Sequence, residues 1–389
     1  MSTRTTAARP AGEQPADDRR GSLTTRAAVC FAPREPWRIV ELELDPPGPN
    51  EVRVRFHAAG LCHSDDHIQK GDAMMRFPVV GGHEGAGVVE EVGAGVTRVA
   101  VGDHVVCSFI PACGTCRYCS TGRQNLCDAG KNAATGEFAD GTFRFHHEGQ
   151  DVGGMCVLGT FAERAVISEF SCVKVAEDIP FEIGALVACG VPTGWGTAVY
   201  AAGVRAGQTV VVYGSGGVGS NAVQGARHAG AKYVVVVDPV PFKREMAELL
   251  GATHTFPDAA SAHEFVVAET WGELADHALI TVGTLHDEVI DSALKVVGKT
   301  GQVTITAVGN GSIDHHAGMF IGYQRRVQGA IFGQCNPQFD IPRLLGLWQA
   351  GDLKLEELIT RRYRLDEVNQ GYQDMLDGKN IRGVIVHEH

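Results

Sequence analysis

The stretch TVVVYGSGGVGSNAVQGARHAGAKYVVVVD, Thr209–Asp238, constrains the fold more than any other part of the chain. It joins an apolar run, a glycine loop, a helix-like segment and a second apolar run. Strands apolar on both faces belong to a parallel sheet covered by helices. GSGGVG fits G-x-G-x-x-G, with Gly214, Gly216 and Gly219 at the fixed positions and Gly217 and Val218 between them. Such glycines allow a tight turn and a close backbone approach to a pyrophosphate, which rests on the N-terminus of the helix that follows. Asp238 lies nineteen residues past Gly219, at the end of the second run. A carboxylate there binds a ribose 2′-hydroxyl and repels a 2′-phosphate, so the expected cofactor is NAD rather than NADP.

Further strand candidates at His277–Gly283 and Gly301–Gly309, with helical stretches between, extend this into a doubly wound α/β domain. Upstream the pattern changes to short strands and glycine turns. Glu51–Phe56 alternates as a half-buried strand does, and Gly85–Val106 reads as strand, turn, strand. The last residues, IRGVIVHEH, read as a final strand. The expected division is a disordered tail at 1–25, a β-rich catalytic domain at 26–190, a Rossmann domain at 191–332, and a return to the catalytic domain at 333–389.

The tail is polar and lacks the apolar core of an export signal. No stretch approaches the roughly 20 apolar residues of a membrane span. The formal net charge of −12, without a Lys/Arg run, argues against a nucleic-acid partner. The expected compartment is the reducing cytoplasm, where the odd count of 11 cysteines does not form disulfides.

Four of those thiols, Cys113, Cys116, Cys119 and Cys127, stand at C-x2-C-x2-C-x7-C. Two-residue gaps let successive thiolates turn toward one point, as tetrahedral zinc requires. A redox pair needs only one C-x-x-C opening a helix, and the spacing lacks the trailing proline of a common iron–sulfur run. With four protein ligands no position remains for substrate, so this zinc is structural. A second set is spread through GLCHSDDH, GGHEGAG and ACGVPTGWG. Cys62, His83 and Cys189 make the Cys₂His set of an open catalytic zinc, with Glu84 as a further potential ligand. Ser64, two residues after Cys62 and on the same face if the segment is a strand, is placed to accept an alcohol proton. His67 is a nearby proton carrier, and Asp65 is expected to hold the second ring nitrogen of His83.

With both zinc sets and the glycine loop in this order, the chain from about Thr25 onward resembles the zinc-dependent medium-chain alcohol dehydrogenases. The resemblance implies a GroES-like catalytic domain, two zinc ions per subunit and a homo-oligomer, dimer or tetramer. It implies that Cys62, His83 and Cys189 hold the catalytic zinc, with Glu84 alternating, and that Ser64 and His67 relay the proton. It also implies His63 and Arg382 near the pyrophosphate, Thr193 behind the nicotinamide, and Lys243 beside the adenosine ribose. Phe109 and Val157 fall at substrate-pocket positions.

The segment Gly141–Phe161 resembles the glutathione-dependent formaldehyde dehydrogenase branch, which keeps a thiol-dependent reaction as an alternative. TVGTLHDEV, IFGQCNPQFDIP and GYQDMLDGKNIRG look more like the nicotinoprotein subgroup. That likeness implies oxidation of primary alcohols with NAD held in place and reoxidised by an external carrier such as mycofactocin, in contrast to ordinary NAD exchange. A zinc hydrolase would leave the glycine loop and Asp238 without a purpose, and no H-E-x-x-H occurs. A non-catalytic protein on this fold would have no need of Cys62, His83 and Ser64 together.

Overall fold

In the computed structural model, which describes residues 21–389, the two apolar runs become neighbouring strands, Thr209–Tyr213 and Tyr233–Val237. Their side chains divide strictly by parity. Val210, Val212, Val234 and Val236 enter one core cluster, and Val211, Tyr213, Val235 and Val237 enter another. Both faces are therefore covered, which is why the sequence shows a continuous run rather than alternation. Four more strands complete a six-stranded parallel sheet in the order His254–Phe256, Tyr233–Val237, Thr209–Tyr213, Ala275–Ile280, Val297–Ile305, Arg326–Gly329. The helix Gly217–His228 follows the glycine loop and packs Ala222, Val223 and Ala226 into the first cluster. Arg227 and His228 in its last turn suit the negative end of the helix dipole.

The other body holds a closed five-stranded barrel and a seven-stranded sheet. Glu51–Gly60 is central to that sheet, antiparallel to Gly85–Val92 on one side and to Arg382–Val386 on the other. The chain thus returns from the parallel sheet, and its last strand pairs Val384 with Gly60, two residues before Cys62. That return brings Arg382, itself buried, against Glu84.

Two expectations are corrected. The tail assigned to 1–25 lies outside the described residues up to residue 20, and from Leu23 the chain is already strand. Leu23–Cys30 pairs with Arg38–Leu44, and the Thr25 hydroxyl donates to the Arg164 carbonyl. Ser64 is not on a strand. Cys62 is the extended N-cap of the helix His63–Lys70, so Ser64 sits in a first helical turn.

Candidate active site

The four clustered cysteines form a lobe of short turns. Cys113 Sγ lies 3.9 Å from Cys119 Sγ, and Cys116 Sγ lies 3.9 Å from Cys127 Sγ. A tetrahedron with zinc–sulfur bonds of about 2.3 Å has edges of about 3.8 Å, so the spacing fits the ion. Backbone amides aim at the sulfurs: Cys116 N at Cys113 Sγ (3.3 Å), Cys119 N at Cys116 Sγ (3.4 Å), and Cys113 N at Cys127 Sγ (3.4 Å). Burial pushes the Cys113 thiol up, but the amides of Thr115 and Cys116 outweigh it and bring it down to about 6. Cys116 is likewise held down by the amides of Cys119 and Asp128, whereas burial pushes Cys119 and Cys127 up, so the amides prepare the first two thiolates and a bound cation would have to draw out the other two.

The second set is built from three elements. Cys62 caps its helix, His83 and Glu84 lead into the strand Gly85–Val92, and Cys189 caps the helix Gly190–Gly196. Their donor atoms lie within 4.8 Å of one another, and all four side chains are buried. His83 Nδ1 stands 3.2 Å from Asp65 Oδ2, while Asp65 Oδ1 accepts from the Gly82 amide at 2.7 Å. Asp65 thus stands as an ion-pair neighbour of Nδ1, not aligned with it as a hydrogen bond, beside the ring nitrogen that a metal-ligating histidine turns to a carboxylate. The hydrogen bond from Cys189 and the charge of His83 hold the Cys62 thiol well below its ordinary range, against the upward push of burial. Glu84 pairs with Arg382 through one oxygen, and its buried Oε1 has no hydrogen-bond partner. Two thiols, an imidazole and an orphaned carboxylate oxygen at one buried point fit a zinc ion.

From Cys62 a cavity of about 530 Å³ runs along the nucleotide unit. Its lining includes Ser64, Gly216, Asp238, Lys243 and Arg382, together with His63 and His67. Gly214 has φ +87°, as the tight turn requires, and a Cβ on Gly219 would collide with the Gly214 carbonyl. A Cβ on Gly216 would meet nothing within 4 Å, so that side of the loop faces open space. Asp238 Oδ2 accepts from the Ser215 amide (2.8 Å) and Oδ1 from the Val240 amide (2.9 Å), which clamps the carboxylate beside the loop.

The relay residues are close but not linked. Ser64 Oγ lies 3.6 Å from Cys62 Sγ. His67 Nε2 lies 2.9 Å from the Gly283 carbonyl across the cleft, and Nδ1 lies 3.4 Å from Asp72 Oδ2. Among the described residues no hydrogen bond joins Ser64 to His67. Thr193 stands one turn past Cys189 and outside the cavity lining. Neither Phe109 nor Val157 lines the cavity. Phe109 stands edge-on to His83 at 5.7 Å between ring centres, whereas Val157 packs on the barrel core. Sequence reasoning missed the Arg382–Glu84 pair and the role of Gly283, because both contacts join residues more than 200 positions apart.

A dinucleotide cleft opening onto a buried Cys₂His set, beside an all-thiolate lobe, defines a zinc- and NAD(P)-dependent oxidoreductase. Residues 48–177 match the alcohol dehydrogenase GroES-like domain, and residues 217–349 match the zinc-binding dehydrogenase domain. The chain is 60% identical to putative alcohol dehydrogenase D of Mycobacterium tuberculosis over 368 residues, covering 94% of this chain and all of that one. It is 58% identical to the NDMA-dependent alcohol dehydrogenase of Amycolatopsis methanolica, covering 94% and 99%. A crystal structure of an alcohol dehydrogenase zinc-binding domain protein from Burkholderia ambifaria superposes with a TM-score of 0.88 at 30% identity, covering 95% of this chain and all of that one. The chain belongs to the zinc-dependent medium-chain alcohol dehydrogenase family. No helix among its described residues is long and apolar enough to cross a membrane.

Proposed function

We propose that this alcohol dehydrogenase oxidises primary alcohols reversibly to aldehydes, with an NAD that stays in its cleft and is reoxidised there by an external carrier of the mycofactocin kind. The observation that carries the reading is that Cys62 belongs both to the buried ligand set and to the wall of the dinucleotide cavity. Cys62, His83 and Cys189 would hold a zinc ion, which would supply a Lewis acid that brings an alcohol hydroxyl's proton within reach near neutral pH, and the cleft would hold a nicotinamide as hydride acceptor. Ser64, beside Cys62, takes the hydroxyl proton. His67, its Nδ1 turned to the half-exposed Asp72, would pass the proton outward once a group bound in the cleft bridges it to Ser64, since no hydrogen bond among the described residues joins the two directly. Asp65 stands beside His83 Nδ1, and Glu84, whose Oε1 is unpartnered, would be a further ligand when the substrate position is empty. Asp238 and Lys243 hold the adenosine ribose, and His63 and Arg382 face the pyrophosphate; Thr193, one turn past Cys189, and Phe109, edge-on to His83, stand behind the ligand set rather than in the cavity lining.

Retention of the cofactor is supported by the relative named for its NDMA dependence and by the closure across the cleft. There, His67 holds the Gly283 carbonyl, and a Cβ on Gly283 would lie 2.8 Å from His63 Nε2. The reading is tested by adding a primary alcohol to purified protein without NAD and following the reduced-nicotinamide absorbance. A single stoichiometric burst, restored to turnover only by an artificial acceptor such as a nitrosoaniline, is expected. Silence until NAD is added, then steady turnover, would leave an ordinary exchanging dehydrogenase. Turnover of formaldehyde only with a thiol present would select the thiol-dependent alternative.

A further inference from the structure

The crossing from the parallel sheet back to the catalytic body runs through a left-handed bend, with φ of 54° at Phe332, 59° at Gly333 and 62° at Gln334. Left-handed backbone is unfavourable for residues that carry a Cβ, so such a bend persists only where its surroundings impose it. On one side the helix after Cys189 does so. A Cβ on Gly333 would lie 2.5 Å from the Pro192 carbonyl and 2.6 Å from that of Thr193, and the Cys335 thiol donates to Pro192 O at 3.3 Å. On the other side stands the cysteine lobe. Asn125, buried between Cys119 and Cys127, donates from Nδ2 to the Ile331 carbonyl at 3.3 Å. The bend delivers Phe332, 1% exposed, edge-on to Phe109 at 5.3 Å, and Phe109 is in turn edge-on to His83.

We infer that the four-cysteine lobe positions the aromatic pair that packs on the buried ligand set, with Asn125 as the positioning residue that helps hold the bend and, through Phe332, the Phe109 ring against His83, beyond the lining of the dinucleotide cavity. The inference rests on the buried Cys₂His set being the alcohol site. Two aromatic rings meeting edge-on are held by geometry as well as by area. When the Ile331 carbonyl loses its donor, the bend keeps its contacts to Pro192 and Thr193 but loses its tie to the lobe, which gives Phe332 and then Phe109 room to shift beside His83 and to admit a bulkier alcohol. The lobe is therefore a brace for specificity as well as a clamp.

The test uses the full-length holoprotein with an artificial acceptor and compares kcat/KM for benzyl alcohol with that for ethanol. Asn125→Ala, Phe332→Leu and the double variant are measured, each with its zinc content. Both single variants are expected to keep two zinc ions per chain and to shift the ratio about tenfold toward benzyl alcohol, mainly through KM. The double variant should shift it no further than Phe332→Leu alone, because the two residues act in series. Asn125→Leu, which keeps the branched shape and removes the donor without adding charge, should reproduce the shift if Asn125→Ala folds poorly. An unchanged ratio with both zinc ions present, or additive shifts, would overturn the brace. Failure of the wild type to oxidise either alcohol would instead overturn the reading of the site.

Discussion

The two metal-ligand sets share a chemistry and differ in how the chain makes them. Cys113, Cys116, Cys119 and Cys127 come from one short stretch, and Cys113 and Cys116 are only half-buried. Cys62, His83, Glu84 and Cys189 come from three elements between residue 62 and residue 189, and every one is buried. In the lobe the first two sulfurs are prepared by neighbouring backbone amides. In the buried set the preparation is tertiary: Asp65 stands beside His83 Nδ1, and Arg382 reaches back from the last strand to Glu84. A closed all-thiolate site needs only local geometry and tolerates water. An open site that polarises a substrate works best in a dry, low-dielectric setting with one side facing a cavity, which no single loop provides.

The largest expected contrast comes from removing one ligand from each set. Cys62→Ser should lower kcat/KM on the order of 10³-fold, several kcal/mol of lost electrophilic assistance, and reduce zinc from two to one per chain with the fold retained. Circular dichroism and metal analysis beside the kinetics would check this. Cys119→Ser should instead act on stability, on the order of 4 kcal/mol, seen as early proteolysis within the lobe. A stable Cys119→Ser protein, or an unfolded Cys62→Ser protein, would erase the distinction.

Acid should destabilise the catalytic body through His387, one residue past the strand that carries Arg382. Burial pushes His387 from 6.5 down to about 4, although the Thr160 carbonyl that accepts from its Nε2 favours the protonated ring. Thr160 is joined in turn to the backbone of Gly82 and Glu84. The unfolded chain takes up this proton near 6.5 and the folded chain only near 4. Stability is therefore complete above pH 6.5 and is lost as the pH falls toward 4, by on the order of 3 kcal/mol. His387→Gln should flatten the fall of thermal stability in that window, and an unchanged slope would assign the acid sensitivity elsewhere.

The smallest effect is expected at the cleft. Gly283→Ala drives a methyl against His63 Nε2 and should speed release of bound NAD about tenfold, a cost of about 1.4 kcal/mol, with both zinc ions kept. Dialysis followed by measurement of protein-bound nicotinamide would show it. Retention equal to the wild type would mean that the contact across the cleft does not hold the cofactor.

Features that depend on neighbours along the chain were legible in the linear order of residues. The Gly214–Gly219 loop between two apolar runs implied a parallel sheet, because a strand buried on both faces has no polar side to show. The cysteine spacing implied a closed site, because two-residue gaps already bring the thiolates together. Reading Ser64 onto a strand failed because nothing local to GLCHSDDH declares that Cys62 is an N-cap: its side chain makes no capping bond. What only the tertiary structure decided is which distant residues meet. Arg382 against Glu84, His67 against Gly283, and Asn125 against Ile331 are contacts between segments that pack for reasons of core burial elsewhere. Their partners are chosen by how two sheets and a crossing bend settle against each other, and linear spacing carries no record of that.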